Sequence, residues 1–369
     1  MFDWVPIRDY TPYFNYMVLA MVFVAAAQCF TNQVFRKGTI ATNATWGLVF
    51  SIFLILYIGF RPISSRFGDT VNYANDFELL RGIQTHLGLT SEWAFGNLMV
   101  WHHLLGDIHS FFLNCAIIYV GSLWWAMKRI FGSYYWIPLL VVFSMFTFWS
   151  YGVNGVRNGM GASVFILALS FANHVPIMIL LALLATGFHA SVWIMIGAAI
   201  TGWLYKNSKF YLIAWIGCVI LSWLWGSTIQ EYLAELPIFA GDNRFSGYLT
   251  ATEEGMVTEG FVYEMKFRWD FLAYSAMAVG IGYYFIFKRK FKEEYYHWIY
   301  NTYLITNAFW VLIIRAPYTN RFAQISWFIM PLVLIYPFMK KRFWRAHERM
   351  IGYAIILFYA YTFYESFIR

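Results

Sequence analysis

A glycine-rich stretch sets one arginine between two long apolar segments. Residues 151–163 read Tyr-Gly-Val-Asn-Gly-Val-Arg-Asn-Gly-Met-Gly-Ala-Ser, so that Arg157 lies close to Asn154 and Asn158. An arginine at the centre of a bilayer costs roughly 2.5–3.5 kcal/mol on insertion scales, and such a residue usually meets a ligand, a carboxylate or water. The stretch is typical of the start of a membrane helix, whose N-terminus and arginine together would suit a phosphate. It is equally typical of an interfacial arginine that snorkels beside a helix-packing motif.

Further polar groups that could do chemistry lie at the ends of other apolar segments. They are Arg61, Arg66 and Asp69 after the second segment, His189 within a long apolar run, and Arg315, Tyr318 and Arg321 around Pro317. Arginines that face one side would suit a pyrophosphate, because a guanidinium is always charged and forks onto phosphate oxygens. Structural roles are also open: anchoring or pairing with carboxylates for the arginines, capping of a helix that begins at Thr70 for Asp69, and packing for His189.

Neither a metal nor a cofactor is predicted. The segment that holds His102, His103, Asp107 and His109 offers no complete ligand set for a metal. A P-loop and the paired-aspartate motifs of nucleotide-sugar enzymes are absent from the sequence. These absences argue against a soluble nucleotide donor.

The composition is that of a membrane protein. Hydrophobic residues make up 60% of the chain and charged residues 12%, whereas about a quarter of the residues of a soluble domain are charged. Apolar runs near 20 residues recur from end to end, so we predict an all-α polytopic membrane protein with about 12 transmembrane helices. The predicted spans are about 14–35, 43–60, 108–127, 133–151, 158–173, 175–188, 190–205, 210–226, 270–287, 297–314, 322–339 and 350–367.

The distribution of basic residues predicts which side of the membrane each connection faces. Basic residues crowd the cytoplasmic ends of membrane helices. With the run 175–205 split near Gly187, one side receives Arg36/Lys37, Lys128/Arg129, Lys206/Lys209 and the clusters 288–292 and 340–349. Both termini and all the candidate groups then lie outside, and His189 occupies a turn recessed below the outer surface.

One integral membrane domain is predicted over residues 1–369, with two long extracytoplasmic segments. Residues 61–107 include a stretch with apolar residues at helical spacing, which indicates a helix along the outer surface. Residues 227–269 have the composition of a long loop, and such loops often bind substrate or form a lid.

Short motifs in a fixed order resemble those of the EpsG-like Wzy family of bacterial polysaccharide polymerases. They are Arg61 with Gly68-Asp69-Thr70-Val-Asn-Tyr73, Glu92-Trp-Ala-Phe-Gly, Val156-Arg157-Asn158-Gly-Met-Gly-Ala, Phe188-His189-Ala-Ser191, and Arg321 ahead of Met330-Pro331. The sequence departs from the family pattern at Asn158, where glutamine is commoner, and at Ala190. The similarity is poorest in 227–269, the segment expected to vary with the sugar.

The resemblance implies a metal-independent membrane glycosyltransferase of the C-type superfamily, with a GT-C-like fold. Such an enzyme, in the bacterial cytoplasmic membrane and with its active site facing outward, would transfer an undecaprenyl-pyrophosphate-linked glycan to a second lipid-linked repeat unit. Arg157 and Arg321, with Arg61 or Arg315, would bind the pyrophosphate, and Arg66, Tyr73 and Tyr318 complete the predicted substrate-binding set. The proton acceptor would be His189 or Asp69. Membrane lipid and a chain-length regulator are candidate partners, and nucleic acid is not.

Other function classes remain open at this stage. A flippase or other transporter would place polar groups near mid-bilayer in several helices, whereas here they collect toward one surface. The sequence does not distinguish a polymerase well from an O-antigen ligase or a membrane O-acyltransferase. The product distinguishes them, because a polymerase makes a ladder, a ligase attaches a finished glycan and an acyltransferase adds one acyl group.

Overall fold

The computed structural model describes residues 2, 4–80, 88, 92–235, 266–316 and 319–367, and all regular elements in these ranges are helical. The α-helices are α1 (Tyr10–Phe30), α2 (Lys37–Gly59), α3 (Thr70–Leu79), α4 (Trp93–Leu105), α5 (Ile108–Phe131), α6 (Trp136–Phe143), α7 (Phe146–Val153), α8 (Val156–Leu169), α9 (Val175–Thr186), α10 (Val192–Leu204), α11 (Ser208–Glu235), α12 (Trp269–Tyr283), α13 (Glu294–Leu312), α14 (Thr319–Trp327), α15 (Met330–Lys340) and α16 (His347–Phe367). The predicted all-α fold class is confirmed.

Six stretches of the described chain are long and apolar enough to cross a membrane: Ile7–Phe30, Lys37–Gly59, Ile108–Tyr134, Ser208–Gln230, Trp269–Lys288 and Thr319–Lys340. The pair α6 and α7, which is bent by 73°, would make a seventh if it forms one span. The protein is therefore a multi-pass membrane protein. The count of about 12 spans is not confirmed. Helices α8, α9 and α10 are shorter than the roughly 20 residues of a full crossing, and α13 and α16 are not among the stretches that qualify.

The predicted split of the run 175–205 near Gly187 is confirmed. The run 175–205 forms two helices, α9 and α10, separated by a turn that holds His189. The predicted helix in the second half of 61–107 is α4, and a helix does begin at Thr70. The interpretation of 227–269 as loop needs correction, because α11 continues to Glu235; residues 236–265 lie outside the described part.

Within the range predicted as one membrane domain, the chain divides into two compact units. The first unit comprises residues 1–193 and 338–369. In it, α1 contacts α2 through reciprocal amide hydrogen bonds between Gln28 and Asn43, and the Tyr359 hydroxyl of α16 donates to the Asn15 carbonyl of α1 at 2.6 Å. Polar side chains that bond between helices in this way fix neighbouring apolar helices against each other.

The second unit comprises residues 194–337 and is built around the pair α11 and α13. The Trp215 indole donates to Asn307 Oδ1 at 2.7 Å, and Asn307 Nδ2 donates to Ser326 Oγ of α14 at 2.9 Å. Helix α11 is kinked at Trp225, where φ is −132° and ψ is 28°. A kink frees backbone carbonyls that need new donors.

Candidate active site

The segment after α2 is fixed to the end of α7 by a glycine and an asparagine. Gly68 has a φ of +59°, and a Cβ at this position would collide with the Asn154 amide. The same amide oxygen accepts the backbone N–H of Asp69 at 2.9 Å. Only glycine adopts this conformation without strain. The Gly68-Asp69 motif is therefore held directly beside the glycine-rich stretch that opens α8.

Arg61 is used inside the fold. The residue is 1% exposed, and its guanidinium donates to the Ile58 carbonyl at 2.8 Å, to Thr70 Oγ1 at 3.0 Å and to the Val153 carbonyl at 3.3 Å. It also lies over the Phe112 ring, 4.3 Å from the centroid. This geometry corrects the prediction that Arg61 offers its donors to a pyrophosphate, because they are directed at the protein itself.

Arg157, at the first turn of α8, pairs with the carboxylate of Glu92, the residue directly before α4. Its Nη1 donates to Glu92 Oε2 at 2.5 Å, and both side chains remain partly open, at 27% and 22% exposure. The guanidinium lies 5.7 Å from the ring centroids of Tyr73 and Phe95. Burial raises the pKa of Tyr73, so its phenol is neutral. A partly exposed guanidinium flanked by aromatic rings is well placed to bind an anion.

The turn between α9 and α10 contacts the start of α4 and thereby fixes the position of Glu92. The Gly187 carbonyl accepts hydrogen bonds from the backbone N–H groups of Ala94 at 2.8 Å and Phe95 at 3.2 Å. N–H groups in the first turn of a helix have no acceptor within the helix itself. A Cβ on Gly187 would lie 2.7 Å from the Trp93 ring. This close approach puts Glu92 Oε1 3.8 Å from Nε2 of His189 in the same turn.

The hydrogen bonds of His189 define which ring nitrogen carries the proton. Nδ1 accepts the backbone N–H of Ser191 at 3.1 Å and lies 2.8 Å from Ser191 Oγ. A neutral imidazole with Nδ1 as acceptor carries its proton on Nε2. His189 therefore directs an N–H toward the Glu92 carboxylate.

Asp69 and Arg66 lie nearby on the segment before α3. Asp69 occupies the N-cap position of α3 without a capping bond from its side chain, and its Oδ1 accepts from Asn72 Nδ2 at 3.2 Å. The capping role considered for Asp69 is therefore not the one it takes. Arg66 lies exposed in the 3₁₀ turn Ser65–Phe67. Their predicted roles toward substrate stay predictions.

The late arginines belong to the second unit. Arg315 donates to the Trp223 carbonyl at 3.4 Å, next to the kink in α11, and lies 5.5 Å from the Phe267 ring centroid. Arg321 is exposed on α14. Tyr318 lies outside the described residues. Their roles in binding substrate also stay predictions.

The histidine-rich segment considered for metal has a structural use. His102 Nε2 accepts from Asn114 Nδ2 at 2.6 Å, and its Nδ1 lies 3.0 Å from Ser110 Oγ. Asp107 caps α5 in a capping box with Ser110. Within the described ranges, no group of three or more His, Cys, Asp or Glu side chains is placed to hold a metal ion.

Glu92 is the residue of this site that the sequence analysis left out of the predicted set. The sequence did contain a feature that pointed to Glu92 as a functional residue. Glu92 begins one of the motifs and is an acidic residue directly before an apolar helix. What the sequence could not give is its partner, since Arg157 is 65 positions away. The first unit thus brings together a cation, a carboxylate and an imidazole.

Comparison with known proteins identifies a family. The model of the EpsG family matches residues 44–369, a range that contains every residue of the site described above. No curated protein matches the chain, and no solved structure does.

Proposed function

The chain belongs to the EpsG family, and from this premise we propose that it polymerises lipid-linked repeat units into a bacterial surface polysaccharide. Family membership indicates a glycosyltransferase-like polysaccharide polymerase. The donor we propose is a glycan on undecaprenyl pyrophosphate, and the acceptor is a sugar hydroxyl of a second lipid-linked unit. The reaction takes place at the outer face of the cytoplasmic membrane.

The observation that carries this proposal is the cluster of Arg157, Glu92 and His189 at the start of α8. Departure of a pyrophosphate needs cationic stabilisation, and a sugar hydroxyl needs a proton acceptor as it attacks. Arg157 supplies the cation from a partly exposed position, and Glu92 and His189 supply groups that exchange protons. We assign Arg157 to the pyrophosphate, and Arg66, Arg315, Arg321 and Tyr318 remain candidates for the rest of the lipid-linked substrates.

The test is reconstitution with defined substrates. The purified protein in detergent, given synthetic undecaprenyl-pyrophosphate repeat units of its own pathway in the presence of EDTA, is expected to give a ladder of products. Arg157→Ala should lose about a hundredfold or more of the rate, because removing one oxyanion-stabilising group costs that much in other enzymes. Arg36→Ala, an exposed arginine before α2, is the matched control and should retain the parent rate.

The alternative functions give different results in the same experiment. Transfer of a finished glycan to an acceptor without a ladder would identify a ligase. A product heavier by one acyl group would identify an acyltransferase. Bound substrate without any product would point to a flippase or other transporter, and each of these results would overturn the proposal.

A further inference from the structure

We propose that Glu92 is the proton acceptor of the transfer reaction and that its ion pair with Arg157 keeps it inactive until the donor pyrophosphate binds. This inference rests on the proposed function and deepens it. It assigns a catalytic residue outside the set predicted from the sequence. It also couples donor binding to the activation of that residue.

The first step is the state of His189. Its Nδ1 accepts the backbone N–H of Ser191, so the neutral ring has its proton on Nε2, on the side that faces Glu92 Oε1 at 3.8 Å. A nitrogen that already carries a proton cannot accept another one. In this arrangement His189 lies beside the carboxylate and does not act as the base at Nε2.

The second step is the position of Glu92. One carboxylate oxygen, Oε2, is taken by Arg157 at 2.5 Å, and the other, Oε1, faces the His189 ring. The side chain is partly open, at 22% exposure. The Tyr73 ring faces Arg157 from α3. The charge of Asp69, directly before the same helix, contributes to raising the pKa of Tyr73. Glu92 is thus the carboxylate directly between the cation and the imidazole.

The third step is what the ion pair does to that carboxylate. While Arg157 donates to Oε2, that oxygen is engaged by the guanidinium and does not accept the proton of an acceptor hydroxyl. A pyrophosphate carries more negative charge than one carboxylate and offers several oxygens to the guanidinium fork. Once the pyrophosphate takes Arg157, Oε2 of Glu92 is released and can accept a proton. Proton acceptance is then tied to the presence of the donor.

The bond changes in the transfer step balance. The acceptor hydroxyl oxygen forms a bond to the anomeric carbon of the donor glycan, and its proton passes to the Glu92 carboxylate. The bond between the anomeric carbon and the phosphate oxygen breaks, and its electron pair stays on the pyrophosphate beside Arg157. The products are the extended lipid-linked glycan, undecaprenyl pyrophosphate and protonated Glu92, which then loses its proton to solvent.

The experiment separates binding from turnover in Glu92→Gln, which keeps the shape of the side chain and removes its charge. Binding of undecaprenyl pyrophosphate to the purified protein should tighten by about two- to fivefold, because Arg157 no longer leaves an ion pair to bind it. The single-turnover transfer rate should fall by about a hundredfold or more, as expected for loss of a general base. Asp76→Asn, an exposed carboxylate on α3, is the control for both measurements.

Two results would overturn the inference. A Glu92→Gln rate within about threefold of the parent would mean that the proton goes elsewhere, since loss of a general base costs far more than that. A loss of undecaprenyl pyrophosphate binding in proportion to the loss of rate would mean that Glu92 only positions Arg157. If the parent shows no transfer, the proposed function fails. The binding comparison then still tests whether the ion pair with Glu92 holds Arg157 back from the pyrophosphate.

A second variant keeps the inference testable if Glu92→Gln does not fold. His189→Gln should keep a single-turnover transfer rate within about tenfold of the parent, because the loss of a general base costs about a hundredfold or more and the imidazole is not the base. A loss of about a hundredfold or more in His189→Gln, with undecaprenyl pyrophosphate binding unchanged, would make the imidazole the base and would refute the assignment to Glu92.

Discussion

Arg61 donates a hydrogen bond to the carbonyl oxygen of Val153, the last residue of α7, from an almost fully buried position. A second bond reaches the carbonyl of Ile58, near the end of α2. Helix C-termini carry partial negative charge and unsatisfied carbonyls. Two helix ends therefore compensate the buried cation. Burial lowers the pKa of Arg61 to about 10, which still leaves the guanidinium charged at neutral pH.

The first prediction is that Arg61→Met destabilises the fold. Removing the guanidinium leaves the buried carbonyls of Ile58 and Val153 and the hydroxyl of Thr70 with fewer donors, and a buried acceptor left without its donor costs about 1–3 kcal/mol. Thermal unfolding of the purified protein in detergent should show this loss. Arg66→Met is the control, with a change within about 0.5 kcal/mol because Arg66 is exposed. A stable Arg61→Met protein that fails to bind substrate would return Arg61 to the substrate-binding set.

This case shows where prediction from sequence stops. An arginine directly after a membrane helix is consistent with either a phosphate ligand or a structural role. What decides between them is the position of the Val153 carbonyl, 92 residues away, which depends on how α7 is bent against α6. The split at Gly187 could be predicted because the charge distribution on later connections depends on it. The pairing of Arg157 with Glu92 could not, because neither residue type nor local spacing specifies a contact across 65 positions.

The second prediction concerns Gly68→Ala and uses Gly132→Ala as its control. Both glycines have a φ of +59°, but a Cβ at Gly132 has no atom within 4 Å, whereas one at Gly68 meets the Asn154 amide. The control measures backbone strain alone, about 1 kcal/mol or more. Gly68→Ala should cost about 1–3 kcal/mol beyond this, because Asn154 must move and the Asp69 N–H loses its acceptor.

The measurement for this pair is the free energy of unfolding, together with the transfer rate. Gly68→Ala should also lower the rate, because it separates the Asp69 segment from the start of α8 where Arg157 lies. Equal destabilisation by the two substitutions would show that contact with Asn154 contributes little.

The third prediction is that Gly187→Ala impairs turnover more than stability. A Cβ would lie 2.7 Å from the Trp93 ring and 2.8 Å from the Ala94 Cβ, so the start of α4 must shift and carry Glu92 away from His189. A displacement near 1 Å costs roughly a hundredfold in rate, while overpacking of this kind costs about 1–3 kcal/mol of stability. Steady-state rates and thermal unfolding measured on one preparation test both parts.

Gly197→Ala is the matched control for this glycine. It replaces a glycine in α10 where a Cβ has no atom within 4 Å, and alanine favours a helix by about 1 kcal/mol over glycine. The control should keep its rate and gain slight stability. A normal rate in Gly187→Ala would mean that the exact place of α4 is not needed for catalysis.

The fourth prediction is that acid weakens the junction of α4 and α5 through His102. Burial lowers the pKa of His102 below its ordinary value, and its Nε2 accepts from Asn114 Nδ2, a bond that a proton on Nε2 would replace with two opposed donors. Because the folded-state pKa is depressed, this contribution to stability is complete above about pH 6.5 and is lost as the pH falls through the folded-state pKa. The melting temperature of the parent should therefore drop more between pH 8 and pH 5 than that of His102→Gln, because glutamine at position 102 does not titrate. Parallel drops in the two proteins would show that His102 does not contribute to acid sensitivity.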